Sequence, residues 1–171
     1  MDTFLKQPEE KKGFNKIFLA AIAVGVIAVI AFLGLVSLKP STKQIQTQAL
    51  DGAFREGTPE FEKYTKRIVA ETDVNNTQQS PTGMGTIMMS IRGKIHNLTG
   101  KPLIGLEVKV SVVDSFDKVV KDKTTVIIPK GEVEKLDNNQ ILPVQVVIEG
   151  FSAEDDRANI RWKVTAIKVQ E

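Results

Sequence analysis

Hydrophobic and polar residues alternate with a period of two along much of the chain after residue 84. In the clearest stretch, 104–112, an aliphatic residue occupies every even position. Further alternating stretches, separated by turn-forming residues, lie near 87–95, 119–128, 144–149 and 160–166. Because successive side chains of a strand point to opposite faces of a sheet, each stretch predicts a half-buried strand. The sequence therefore predicts a mainly β domain over 84–171, a small immunoglobulin-like antiparallel β-sandwich.

Two of these predicted strands carry further information. Trp162, the only tryptophan, lies on the same side of the last strand as Ile160 and Val164, and we expect it to be the core aromatic residue. The strand over 119–128 has a polar middle that consists of Lys121, Asp122 and Lys123. Such charges are typical of an edge strand, where they discourage pairing with another chain.

A different pattern marks the N-terminal region, where residues 17–38 contain no charged side chain. As a helix this segment would be about 33 Å long, against a bilayer hydrocarbon core of ~30 Å. A cleaved signal peptide is the alternative, but its apolar region is only ~7–15 residues long, and 36–40 is a poor cleavage site. We therefore expect a retained signal anchor, with a cytoplasmic tail over 1–16 and a transmembrane helix over 17–38.

The charges around this helix bear on its orientation. Lysines and arginines before the helix are Lys6, Lys11, Lys12 and Lys16, and those after it up to residue 57 are Lys39, Lys43 and Arg55. The small excess before the helix favours a cytoplasmic N-terminus. A short tail followed by a C-terminal folded domain is also the usual layout of an exported signal anchor. We expect residues 40–171 to be extracytoplasmic, on the periplasmic side in a Gram-negative cell.

Small residues form rows along the predicted transmembrane helix. The ones that could pack against a partner helix are Ala21, Gly25, Ala28, Ala31 and Gly34. Small side chains allow two helix backbones to approach closely within the bilayer. The alternative is that alanine and glycine are simply common in such segments, since no strict G-x-x-x-G is present.

Residues 39–83 are mostly polar and are predicted to be a linker with one short amphipathic helix over 58–71. Thr58 can cap this helix, and Pro59 suits its first position. One apolar stripe follows the helical period and consists of Phe61, Tyr64 and Ile68. The stripe is a candidate docking surface for the chain's own domain or for a partner. Because the opposite face is basic, the membrane surface is a third alternative.

Part of the β region resembles a known family. The segment 91–103, together with 106–110 and the pair Val113-Asp114, is similar to the FxLYD-type domain of bacterial membrane-anchored envelope proteins. In that family a glycine-containing strand leads to an Asn turn, and the next strand ends in an aromatic–Asp pair. This chain has Val113 at the aromatic position and Asp117 at a usual glycine position of the following turn. The resemblance implies an exported, membrane-tethered module without known catalytic residues.

The composition argues against several kinds of chemistry. The absence of cysteine excludes disulfide scaffolds, thiolate catalysis and Cys-based metal sites. A net charge of +2 gives no strong attraction to nucleic acid. The only histidine, His96, falls in a predicted turn, and no G-x-S-x-G nucleophile motif is present. The acidic run 154–156 lacks the spacing of a calcium loop, and no glycine-rich phosphate loop precedes a helix.

These observations favour a protein that is not an enzyme and that has no catalytic, cofactor-binding or metal-binding residues. The expected function is that of a protein-interaction or scaffold module held at the membrane. A permanent accessory subunit of a larger membrane complex is the alternative, and an enzyme with an unrecognised site is a third. Expected partners are the lipid bilayer and another membrane or envelope protein. Neither nucleic acid nor a small-molecule ligand is indicated.

Overall fold

The computed structural model describes residues 22, 25, 29, 30, 48 and 50–170. The first five of these positions are all helical. The predicted tail over 1–16 and the rest of the predicted transmembrane helix over 17–38 lie outside the described residues. Within the described part of the chain, no helix is both long and apolar enough to cross a bilayer. The chain divides into two compact units, 1–41 and 42–171, and the second contains all the elements described below.

Residues 50–170 form a mainly β structure with antiparallel strands and one α-helix, which confirms the predicted predominance of strands. In chain order the elements are β1 (Phe54–Arg55), α1 (Pro59–Thr65), β2 (Ile68–Thr72), β3 (Gln78–Pro81), β4 (Ile87–Asn97), β5 (Leu103–Val113), β6 (Val119–Ile128), β7 (Ile141–Phe151) and β8 (Asn159–Val169). A short 3₁₀ turn, Val74–Asn76, separates β2 from β3.

The first sheet has the strand order β1-β8-β5-β6, and all its pairings are antiparallel. Strand β5 is the predicted alternating stretch, and its Val110 lies between Lys123 of β6 and Trp162 of β8. Strand β6 is at the edge of the sheet, as its charged middle predicts.

In the second sheet, the long strand β4 pairs with β7 along one side. Its other side is shared by β2, which pairs with 93–97, and β3, which pairs with 87–90. The junction between β2 and β3 is closed by hydrogen bonds to the backbone of Arg92. The Asp73 N–H donates to the Arg92 carbonyl at 2.8 Å, and the Arg92 N–H donates to Thr77 Oγ1 at 3.2 Å.

The inner faces of both sheets contribute to a single hydrophobic core. Fully buried side chains on these faces include Ile91, Ile95, Leu106, Val108, Val110, Val112 and Phe151. All of them except Phe151 are residues that the period-two pattern assigns to one face of a strand, and removing their apolar surface from water drives the association of the sheets. A second, smaller cluster covers the outer face of the first sheet and consists of Leu50, Val126 and Ala166, with Ala53 packed against it.

The predicted helix over 58–71 is shorter in the structure. Thr58 caps it as expected, because its Oγ1 accepts the Phe61 N–H at 3.3 Å, but α1 ends at Thr65. The next residues, Ile68–Thr72, form β2. Three of these five residues are β-branched, and their backbone pairs with β4. Tertiary pairing therefore overrides a stripe that also fits a helical period.

The predicted linker over 39–83 requires a second correction, since β1, β2 and β3 all lie within it. The folded domain includes Leu50 and everything after it, rather than beginning at 84. Strand β3, Gln78–Pro81, is almost wholly polar, and it joins the sheet through backbone hydrogen bonds to β4. An edge strand of this kind has no alternating pattern, so hydropathy does not reveal it.

The outer edge of β7 is shielded by two lysines, one in β6 of the opposite sheet and one in the loop that follows β6. Lys123 Nζ donates to the Val147 carbonyl at 2.7 Å, and Lys130 Nζ donates to the Gln145 carbonyl at 3.5 Å. Between these contacts and the strand's start lies Pro143, which has no backbone N–H to offer. These features block the addition of a further strand at this edge.

Asn97 is a fully buried polar residue that joins two turns to the end of β4. Its Nδ2 lies 2.9 Å from the carbonyls of Lys101 and Leu136 and 3.2 Å from that of Asp137. Its Oδ1 accepts the N–H of Thr99 at 3.0 Å and the hydroxyl of the same residue at 2.7 Å. One side chain thus satisfies backbone groups from the turn 98–102 and from the loop 129–140.

Candidate functional site

The residues predicted to pack against a partner helix are mostly outside the described part of the chain. Among Ala21, Gly25, Ala28, Ala31 and Gly34, only Gly25 is described, and it is helical. Among the described residues, none has an atom within 4 Å of a Cβ added at Gly25.

The candidate docking stripe packs on the chain's own domain. Phe61 is buried in the core, and Tyr64 stacks on Phe54 with ring centroids 6.1 Å apart. Ile68 is the first residue of β2, where it lies opposite Asn97 and packs against the same core. The stripe thus attaches α1 and β2 to the sheets, and its apolar surface is not left open for another protein.

Trp162 joins the two sheets at one point. It is half-buried rather than fully enclosed, and it packs against the core from β8. Its Nε1 donates to Thr72 Oγ1 of β2 at 2.9 Å, and its ring lies against Gly93 of β4. The indole of β8 therefore contacts β2 and β4 of the second sheet. Its polar N–H, which needs a hydrogen-bond acceptor when partly buried, finds one in Thr72.

No catalytic constellation emerges among the described residues. His96 lies in β4 instead of in a turn, half-buried on the outer face of the second sheet. Within residues 50–170, His, Asp and Glu side chains do not form a group of three or more that could hold a metal ion. In the acidic run, Asp155 and Asp156 accept hydrogen bonds from Ser152 and Ser115, so these carboxylates hold loops together.

A hollow of about 360 Å³ lies on the outer face of the second sheet, lined by Asp73, Asn76, Arg92, Lys94, Pro143 and Gln145 among others. The pKa of Asp73 is lowered, chiefly by the hydrogen bond from the Asn76 side chain and also by the nearby positive charges of Lys94 and Arg92. An ionised, hydrogen-bonded carboxylate beside two cations is not a general base poised near neutral pH. The hollow is therefore a surface where the negative charge of Asp73 is offset by the positive charges of Arg92 and Lys94, and it has no candidate catalytic base.

The most exposed aromatic side chain in the described part of the chain is Phe116, 89% exposed in the turn between β5 and β6. This turn, residues 114–118, is called the Phe116 turn below. Its backbone is tightly held: Asp114 Oδ1 accepts the N–H groups of Phe116 and Lys118, each at 2.9 Å. The Asp114 N–H also donates to the Lys118 carbonyl at 2.9 Å. The ring is thus presented to solvent by a turn with little freedom to hide it.

The Phe116 turn is also fastened to the loop between β7 and β8. Asp156 Oδ2 accepts the N–H of Ser115 at 2.8 Å and its hydroxyl at 2.6 Å. The Ser115 hydroxyl, followed by its N–H, holds the pKa of Asp156 below the ordinary value of 3.8. Because the folded-state pKa is lowered, this contact is complete above about pH 4 and is lost as the pH falls through the lowered value.

The Phe116 turn lies at the far end of the domain, away from the point where the chain joins it. Strand β1 pairs with residues 166 and 167 near the end of β8, whereas the Phe116 turn adjoins the start of β8, since Val113 lies opposite Asn159. The turn 82–86, which exposes Met84, precedes β4 at the same far end. Acidic residues predominate around Phe116: 114–118 and 152–158 together contain five, against two basic ones.

Comparison of the chain with protein-family models, characterised proteins and solved structures finds no match. Sequence reasoning recognised residues 114–118 as a turn and did not single out Phe116. The signal that could have found it is a large aromatic residue inside a turn, where burial is rarely available.

Proposed function

We propose that the chain is a membrane-anchored, extracytoplasmic module with an immunoglobulin-like β-sandwich, which acts as a non-catalytic protein-interaction or scaffold component. The uncharged run 17–38 and the resemblance to FxLYD-type domains support the anchored, exported arrangement. The observation that carries the interaction role is Phe116, exposed on a rigid turn at the far end of the domain.

Holding the Phe116 side chain in water costs free energy that a partner could recover. Burying such a side chain is worth about 1.5–3 kcal/mol, and nothing within the domain covers the ring of Phe116. Because Asp114 and Asp156 already order the turn, a partner that covers Phe116 would lose little conformational entropy on binding. Ordered aromatic side chains of this kind are typical centres of protein interfaces.

The anchored arrangement has a direct test in the full chain. We expect the protein to remain in the membrane pellet after alkaline carbonate extraction, because the run 17–38 is long enough to span the bilayer. A reporter fused after Glu171 should be active only outside the cytoplasm. Release into the supernatant, or a reporter active only in the cytoplasm, would contradict this part of the proposal.

The interaction role is tested at Phe116 itself. A photoreactive phenylalanine analogue at position 116 should cross-link to one discrete envelope protein in native membranes, whereas the analogue at Val74, which is 75% exposed elsewhere on the domain, should not. With that partner purified, Phe116→Ala should weaken binding about 10- to 100-fold. Asp156→Asn, which loosens the turn but keeps the ring, should have a smaller effect. Equal affinity of wild type and Phe116→Ala would rule out this surface.

A permanent accessory subunit is the second candidate, and the row of small residues that includes Gly25 supports it. A partner packed against the small residues of that helix would copurify in fixed ratio from mild detergent. It would also remain bound when Phe116 is replaced by alanine. The same copurification experiment therefore separates the two candidates.

A further inference from the structure

Exposed apolar residues cluster at the end of the domain where the chain joins it, which we call the near end. On the outer face of the second sheet, Val69, His96 and Ile141 lie side by side in register across β2, β4 and β7. Leu98 follows on the same face, and its N–H donates to the Arg67 carbonyl at 2.8 Å. Val69, Leu98 and Ile141 are 38%, 37% and 57% exposed. We call Val69, Leu98 and Ile141 the near-end patch.

Cations flank the near-end patch on the side of Val69 and Leu98, namely Lys66, Arg67 and Lys101, and all three are exposed. None of them forms an ion pair with any residue of the described part of the chain. Acids lie beside Lys94 and Ile141 instead: Glu71 is opposite Lys94 in the register, Asp73 lines a hollow with Lys94, and Glu132 and Glu134 line one with Ile141. The outer face of the first sheet differs, because its cations are matched by acids in the pairs Arg55–Glu107, Lys109–Asp122, Arg161–Asp117 and Lys163–Glu56.

The chain joins the domain at this same end, on the outer face of the first sheet. Leu50 packs on Val126 and Ala166, and the Asp51 carbonyl accepts a hydrogen bond from Lys168 Nζ at 2.7 Å. The last residues of β8 adjoin the turn 98–102 that contains Leu98 and Lys101, since the Gln170 N–H donates to the Pro102 carbonyl at 2.9 Å. Residues 39–49 separate Leu50 from the uncharged run, and fully extended they reach at most about 38 Å.

We infer that the near-end patch contacts anionic phospholipid headgroups of the membrane that anchors the chain. This inference rests on the anchored arrangement proposed above. Aliphatic side chains flanked by unpaired cations are the combination that binds the bilayer interface, where the apolar groups enter the headgroup boundary and the cations meet lipid phosphates. The short connection to the anchor keeps this end of the domain near the bilayer, so even weak contacts suffice to hold it there.

The full chain in lipid nanodiscs provides the test. Because the chain has no cysteine, Leu98→Cys can carry a single apolar nitroxide, and Met84→Cys at the far end provides the matched control. Discs of pure phosphatidylcholine are compared with discs that contain about 30% phosphatidylglycerol. Electron paramagnetic resonance then measures how often each label collides with a water-soluble nickel chelate and with lipid-soluble oxygen. The fluorescence of Trp162 reports whether each variant is folded.

We expect the label at 98 to be shielded from the nickel chelate and accessible to oxygen only in the anionic discs, and the label at 84 to stay aqueous in both. Each cation near the surface contributes about fivefold to partitioning. Arg67→Gln with Lys101→Gln should therefore expose the label at 98 again, whereas Lys118→Gln at the far end should not.

Three outcomes would overturn the inference. Equal aqueous exposure of labels 98 and 84 in anionic discs, with the protein retained in the discs, would remove the lipid contact and leave the anchor intact. Shielding of label 98 that is the same in both lipids and grows with the number of chains per disc would assign the patch to a second copy. A chain that does not enter the discs at all would overturn the anchored arrangement, and the inference with it.

Discussion

Replacing Asn97 by alanine is expected to lower the free energy of unfolding by about 3–5 kcal/mol. The substitution removes the Nδ2 donor that the carbonyls of Leu136 and Asp137 share, and it removes one of the two acceptors of the Thr99 hydroxyl. Asn97 is fully buried, so water does not replace these partners without disrupting the end of the domain. Urea unfolding of residues 42–171, followed by the fluorescence of Trp162, measures the change.

Two further variants separate the amide from the general effect of a substitution. Asn97→Asp keeps the shape and the acceptor but loses the donor, so it should be nearly as destabilising as alanine. Asn75→Ala, at an exposed position of the 3₁₀ turn, should change stability by less than about 0.5 kcal/mol. If Asn97→Asp unfolded at the wild-type urea concentration, the Nδ2 contacts would not contribute to stability.

The contact of Trp162 with Gly93 is expected to give the second large effect. Trp162→Ala removes a half-buried indole and its bond to Thr72, and should cost about 3 kcal/mol. Gly93→Ala should cost about 2–3 kcal/mol, because its Cβ would lie 2.7 Å from Trp162 Cζ2 and 2.6 Å from the Glu71 carbonyl oxygen. Thermal unfolding of both single variants and the double variant measures these changes.

The double variant shows how much of the second effect belongs to the indole. Removing the ring relieves one of the two close approaches, so the combined cost should fall short of the sum by about 1 kcal/mol. Gly83→Ala is the matched control, since its Cβ would meet nothing within 4 Å, and it should be near neutral. Strict additivity would indicate that the Glu71 carbonyl alone accounts for the cost at Gly93.

The strands of the two sheets show where sequence reasoning is sufficient. In β5 and β8 the alternating apolar positions over 106–112 and 160–164 face the core, as their period predicts, whereas the buried residues of β6, 126–128, are consecutive. The charged middle of β6 identifies it as an edge because charges disfavour further pairing. In both cases the polarity of each residue matches its exposure to solvent, so the hydropathy pattern is sufficient to predict it.

The region before residue 84 shows where sequence reasoning is not sufficient. Phe61, Tyr64 and Ile68 fit a helical period, yet Ile68 belongs to a strand because its backbone pairs with β4. Strand β3 is almost wholly polar and is held in the sheet by its backbone hydrogen bonds to β4, so it has no apolar face that a hydropathy pattern could reveal. The stability of such a strand depends on backbone hydrogen bonds to its neighbour, and these are not visible in its own amino-acid composition.

By itself, the sequence determined that the domain is built mainly from strands, which alternating residues of those strands face its core, and that a long uncharged run precedes it. The tertiary structure decided which residues meet. It placed Asn97 under two turns, brought Trp162 against Gly93, and fastened the Phe116 turn to Asp156. The physical reason is that burial depends on each residue's own polarity and period, whereas a contact depends on the sheet register and on loops that close far from either residue in sequence.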